Sequence, residues 1–128
     1  MTEIKSQGKI DKGWGYELVW ASNDLYCAKI LVFTKVGAKC SLHFHKHRDK
    51  TWFINAGKFL LRWIDTKDAK AYQKELVEGE TWHVPAMQPH QIESLTSHSS
   101  LTEVSTAQDA NDLYRISVGD SQSTSVEK

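Results

Sequence analysis

Proline is nearly missing from this chain, with two in 128 residues. That excludes a collagen-like or proline-rich extended protein. Cysteine is equally scarce. Cys27 and Cys40 are too few for the disulfide framework of a small secreted scaffold, and both stand in apolar-rich segments, where buried thiols are expected. Charge of one sign is not in excess: 16 basic residues balance 16 acidic ones. A neutral chain lacks the basic footprint of a nucleic-acid binder and the acidic bias of a solvating tail. No apolar run is long enough to span a bilayer, and Met1 to Lys5 has no apolar core of the signal-peptide kind. The expectation is a cytoplasmic protein with neither nucleic acid nor membrane as partner. What is present is aromatic: five Trp, four Tyr and four Phe exclude wholesale disorder. The length suits one domain.

Long helical periods are absent. Short runs rich in Val, Ile, Phe, Trp and Tyr recur between Gly, Asn, Asp and Pro. The runs predict strands at 16–20, 26–34, 40–45, 51–55, 58–64, 72–76, 81–84, 90–95 and 101–105. Many short strands with close turn signals predict an all-β sandwich or barrel. Residues 109–114 fit a helical turn or a short extension equally well. The polar end of the chain reads as a frayed, disordered tail.

The histidines cluster. His43 and His45 stand two apart on a predicted strand, so period-two geometry puts both rings on one face. Such a pair is a natural half of a metal site, and His90, at the start of a later strand, could complete it. His47 lies between Lys46 and Arg48 and reads as a solvated loop residue. His83, between Trp82 and Val84, reads as packing or substrate contact. His98 has no evident role.

These residues also carry a resemblance. Gly37, His43, His45 and Gly57 resemble the first motif of the cupin superfamily, and Gly79, Pro85 and His90 the second. Lys12-Gly13-Trp14-Gly15-Tyr16-Glu17 is similar to the opening of the cupin domain of type II mannose-6-phosphate isomerases, a domain often fused to a mannose-1-phosphate guanylyltransferase. The stretches 24–29, 41–48, 78–80, 84–86 and 112–115 are similar to further segments of that domain. The resemblance implies a single cupin double-stranded β-helix, a jelly-roll barrel, over residues 12–118, with an N-terminal extension at 1–11 and a disordered tail at 119–128. It implies no nucleotidyl-transfer domain. It also implies a homodimer, since barrels of this family commonly pair. Three departures from the pattern stand out. The family's metal-binding Glu falls at Lys50, its Gln falls at His43, and its Arg-containing ending is replaced by residues 116–120.

The implied cofactor is a divalent metal ion on His43, His45 and His90, with Asp49 as a substitute fourth ligand. Zinc is the first expectation, and manganese, iron or nickel are alternatives. The implied chemistry is aldose–ketose isomerisation of a sugar phosphate. Lys50 and His83, and after them Glu103, are the inward-pointing candidates for proton transfer. A phosphate needs a cationic cradle, for which Lys29 and Arg62 are candidates. Core packing is expected for most tryptophans, and Trp52 is the candidate for a substrate contact. Two other functions stay open. One is a metal-dependent cupin of the oxygenase type. The other is a non-catalytic barrel that binds a carbohydrate or other small ligand.

Overall fold

The computed structural model describes residues 8–123. The short apolar runs become strands: β1 (Gly8–Lys12), β2 (Gly15–Ser22), β3 (Tyr26–Phe33), β4 (Leu42–Phe44), β5 (Lys50–Ala56), β6 (Lys58–Ile64), β7 (Ala71–Val77), β8 (Thr81–Val84), β9 (His90–Ser94), β10 (Ser99–Thr106) and β11 (Tyr114–Ser117). One helical turn follows, α1 (Asp120–Ser123). The strands form two antiparallel sheets, in the orders β1-β2-β3-β10-β5-β8 and β11-β4-β9-β6-β7. Neighbours such as β3 and β10, or β4 and β9, are far apart in sequence, so the chain crosses repeatedly between the sheets. This is the expected all-β jelly roll, in one domain.

Alternation decides which side chains enter the barrel. In β3, Cys27, Lys29, Leu31 and Phe33 are buried, and in β5 Lys50, Trp52 and Ile54 are. The apolar members gather into one core. Phe33 stacks on Trp14 with ring centroids 4.3 Å apart and meets Phe59 edge-on at 5.2 Å. Ile54, Leu61, Leu76, Ile92 and Leu101 fill the space around them. The chain passes from β5 in one sheet to β6 in the other through Gly57, at φ 79°. A Cβ there would collide with Ser99, so the crossing requires glycine. Cys27 is buried and Cys40 half-buried. Among the described residues, no helix is long and apolar enough to cross a membrane.

Two boundaries differ from the sequence expectation. Residues 8–11, placed in an N-terminal extension, belong to β1 and pair with β2. Residues 119–123, placed in the disordered tail, lead into and form α1. Ser121 is buried and accepts a hydrogen bond from the Gly13 amide at 3.0 Å. A polar segment can order in this way when its donors and acceptors meet backbone groups instead of water. Residues 1–7 and 124–128 lie outside the described residues.

Phe33 is fully buried between two aromatic partners. Phe33→Ala is expected to lower stability by about 3–5 kcal/mol, read as a lower urea midpoint with an unchanged slope. A loss below about 1 kcal/mol would show that the core closes over the gap.

Candidate metal centre

His43 lies on β4, directly opposite His90 on the adjacent β9. His45 follows two residues later on the same face. The ring centroids stand 4.6 Å apart for His43 and His90, and 5.2 Å apart for His43 and His45. One nitrogen from each ring falls within 4.8 Å of the other two.

The Nδ1 nitrogen of each ring is anchored. His43 Nδ1 lies 2.8 Å from the Ser41 carbonyl, His45 Nδ1 2.6 Å from the Asp112 carbonyl, and His90 Nδ1 2.9 Å from the Gln88 carbonyl. A carbonyl oxygen only accepts, so each Nδ1 carries the proton and each Nε2 presents a lone pair. Nε2 of His45 and Nε2 of His90 are buried without a hydrogen-bond partner. Buried polar atoms without partners are rare, and two beside a third imidazole fit the donor set of a divalent cation. Burial, reinforced by the charge on Lys50, lowers the pKa of His43 to about 3 and that of His45 to about 4. The same causes hold His90 well below its ordinary value. All three rings are therefore neutral near pH 7, as ligands must be.

A second cluster lies beside the imidazoles. Glu103, on β10, is 2% exposed. Its Oε2 accepts from Arg48 Nη2 at 2.7 Å and stands 3.8 Å from Lys29 Nζ. Its Oε1 accepts from Trp52 Nε1 at 2.9 Å and stands 3.3 Å from Lys50 Nζ. Burial alone would raise the Glu103 pKa, but Lys50, Lys29 and Arg48 together outweigh it and hold the carboxyl well below its ordinary range. Lys29 also donates to Glu17 and to Gln108. Burial lowers the pKa of Lys50, with Glu103 opposing that shift. Imidazoles, cations and Trp52 line one cavity of about 170 Å³.

The family profile for Cupin matches residues 22–124. The chain belongs to the cupin family. Solved structures with a similar fold include the capsular polysaccharide assembling protein CapF of Staphylococcus aureus, at 19% identity and a TM-score of 0.73, covering 86% of this chain and 34% of that one. Oxalate decarboxylase of Bacillus subtilis is 20% identical with a TM-score of 0.74, covering 88% of this chain and 30% of that one. KdgF of Halomonas sp. is 17% identical with a TM-score of 0.65, covering 75% and 81%. This cupin thus spans about a third of the length of CapF and of oxalate decarboxylase. No curated protein sequence matches it significantly.

Of the expected site residues, His43, His45, His90, Lys50, Lys29 and Trp52 line the cavity together. Three do not. Lys50 points inward, so its neighbour Asp49 points outward by strand alternation and is not among the clustered ligand atoms. His83 lies opposite Thr51, also on the outer side, and its Nε2 meets the Asp49 carboxylate at 2.9 Å in a half-exposed pair. Asp49 as fourth ligand and His83 as catalytic group are therefore corrected together: they satisfy each other on the surface. Arg62 is corrected too. It alternates with the buried Leu61, faces outward, and pairs with Glu93 at 2.9 Å. Arg48 was missed, because its charged neighbours made the loop look solvated. Glu103, named only as an inward candidate, proves to be the hub. Its spacing of two from the apolar Leu101 was the signal available.

Replacing Glu103 with Gln leaves buried cations without their counterion. The expected loss is about 3–5 kcal/mol, and adding Lys50→Met in that background should restore part of it. Strict additivity of the two changes in urea unfolding would disprove the coupling. In metal-free protein, the lowered pKa values of His43 and His45 mean that the unfolded chain binds protons the folded one refuses. Stability should therefore fall as pH drops from about 6.5 toward 3. His43→Gln should flatten that slope by up to about 1.4 kcal/mol per pH unit, measured from unfolding midpoints at several pH values. An unchanged slope would refute the assignment.

Proposed function

We propose that this cupin is a metal-dependent isomerase that interconverts aldose and ketose forms of a sugar phosphate, of the mannose-6-phosphate type. The observation that carries this reading is the convergence of three imidazoles, each with Nδ1 held at a backbone carbonyl, beside a buried lysine in one small cavity. The family membership and the similarity of the residue segments named above support it. Oxalate decarboxylase, among the fold neighbours, is an enzyme by name.

His43, His45 and His90 would hold the metal. Three imidazoles suit zinc, with manganese, iron or nickel as alternatives. Bound there, such an ion would supply positive charge against the negative charge that develops on the sugar oxygens O1 and O2. The chain's own groups do the rest. In its neutral form, which burial makes easier to reach, the Lys50 amine Nζ takes the proton from C2 and returns it to C1. Glu103 fixes that amine in place and Trp52 closes one wall. The apolar core behind the cavity excludes water from the far side.

The test is elemental analysis of the purified protein, followed by an isomerase assay. One metal per chain is expected, with its loss in His90→Ala. Lys50→Met is expected to keep the metal and lose about 10²–10⁴-fold in kcat. Absence of metal in the wild type would defeat the reading. Oxygen uptake with bound iron would replace it with an oxygenase, and a metal site without turnover would leave a ligand-binding barrel.

A further inference from the structure

The whole chain carries no net charge, yet its cavity does. Five cationic side chains line the cavity against two carboxylates, an excess of three positive charges in the resting state, with Lys50 protonated and the imidazoles neutral. Lys29, Arg48 and Lys50 are spoken for by Glu103 and Glu17. Arg115 is different. It lines the same cavity, and its guanidinium forms no hydrogen bond or ion pair with any described residue.

Register explains its position. Arg115 on β11 lies directly opposite His43 on β4, His43 opposite His90 on β9, and His90 opposite Trp63 on β6. Side chains opposite one another in antiparallel strands share a face, with Cβ atoms roughly 5 Å apart. Arg115 therefore extends the imidazole row by one strand and ends it in a planar, permanently charged fork. Such a fork matches phosphate or carboxylate oxygens in pairs. The excess of three charges favours a dianion over a monoanion. A phosphomonoester carries close to two negative charges at pH 7.

We infer that Arg115 is the anion anchor of this cavity, gripping the phosphate of a ligand whose sugar end lies at the three imidazoles. The identity of that anion rests on the sugar-phosphate reading, but the anchor itself requires no turnover. It also gives β11 a task the strand pattern did not disclose, since Arg115 is exposed and would otherwise pass for ordinary surface charge.

The experiment is calorimetric titration of the metal-bearing protein with inorganic phosphate, and with mannose as a neutral control. Wild type should bind phosphate and not mannose at matched concentration. Arg115→Gln should weaken phosphate binding about 10- to 100-fold, and Arg115→Lys should recover part of the loss. Metal content should be unchanged in both variants, which shows that the imidazole site is intact. Phosphate affinity unaltered in Arg115→Gln, or no phosphate binding by wild type, overturns the anchor. An enzyme assay that finds no isomerase, alongside phosphate binding that depends on Arg115, keeps the anchor and removes only the isomerase reading.

Discussion

Glu103 touches Arg48, Lys50, Lys29 and Trp52 with two oxygens, and the polar half of the barrel is built around that contact. Cations packed this closely in a medium of low dielectric repel strongly. Each also loses hydration on burial, a cost that only a well-placed counter-charge offsets. One carboxylate divides the work by oxygen: Oε2 faces Arg48 and Lys29, and Oε1 faces Lys50 and the indole of Trp52. The contact thereby joins the two halves of the interior. Trp52 is part of the apolar core and also meets His90 edge-on at 5.6 Å. The charge cluster, the core and the imidazoles share one side chain.

The imidazoles depend on the main chain for their orientation. All three Nδ1 atoms are held by backbone carbonyls, from residues 41, 88 and 112. Carbonyls fixed by strand and turn geometry offer no protonation state of their own, so they set the tautomer of each ring wherever that ring is neutral. Nothing in the identity of Ser41, Gln88 or Asp112 advertises this role, because any residue brings a carbonyl.

That contrast explains what the sequence disclosed. Nine strands were legible because their apolar runs alternate or fill a core, and the turns between them use Gly, Asn and Asp. β1 was not, because Gly8 to Lys12 is mostly polar and is ordered only by its pairing with β2. His43, His45 and His90 were legible from period two and motif spacing, and Lys29 from its apolar neighbours on β3. Asp49, His83 and Arg62 failed for one shared reason: each stands one residue away from an inward side chain, and alternation sends it outward. Glu103 and Arg48 were hard to weigh, because a buried ion cluster is a property of strands that meet only in three dimensions. The same holds for Arg115, whose significance lies in the residue across from it.

The segment between β10 and β11 does two jobs through one amino acid. The Asp112 carboxylate accepts from the amides of Lys46 and His47, and its carbonyl accepts from His45 Nδ1. Gln108 on the same segment reaches Lys29. This connection thus braces the His45 ring and one contact of the buried Lys29 from a single stretch of chain, so the imidazole row and the ion cluster share one scaffold.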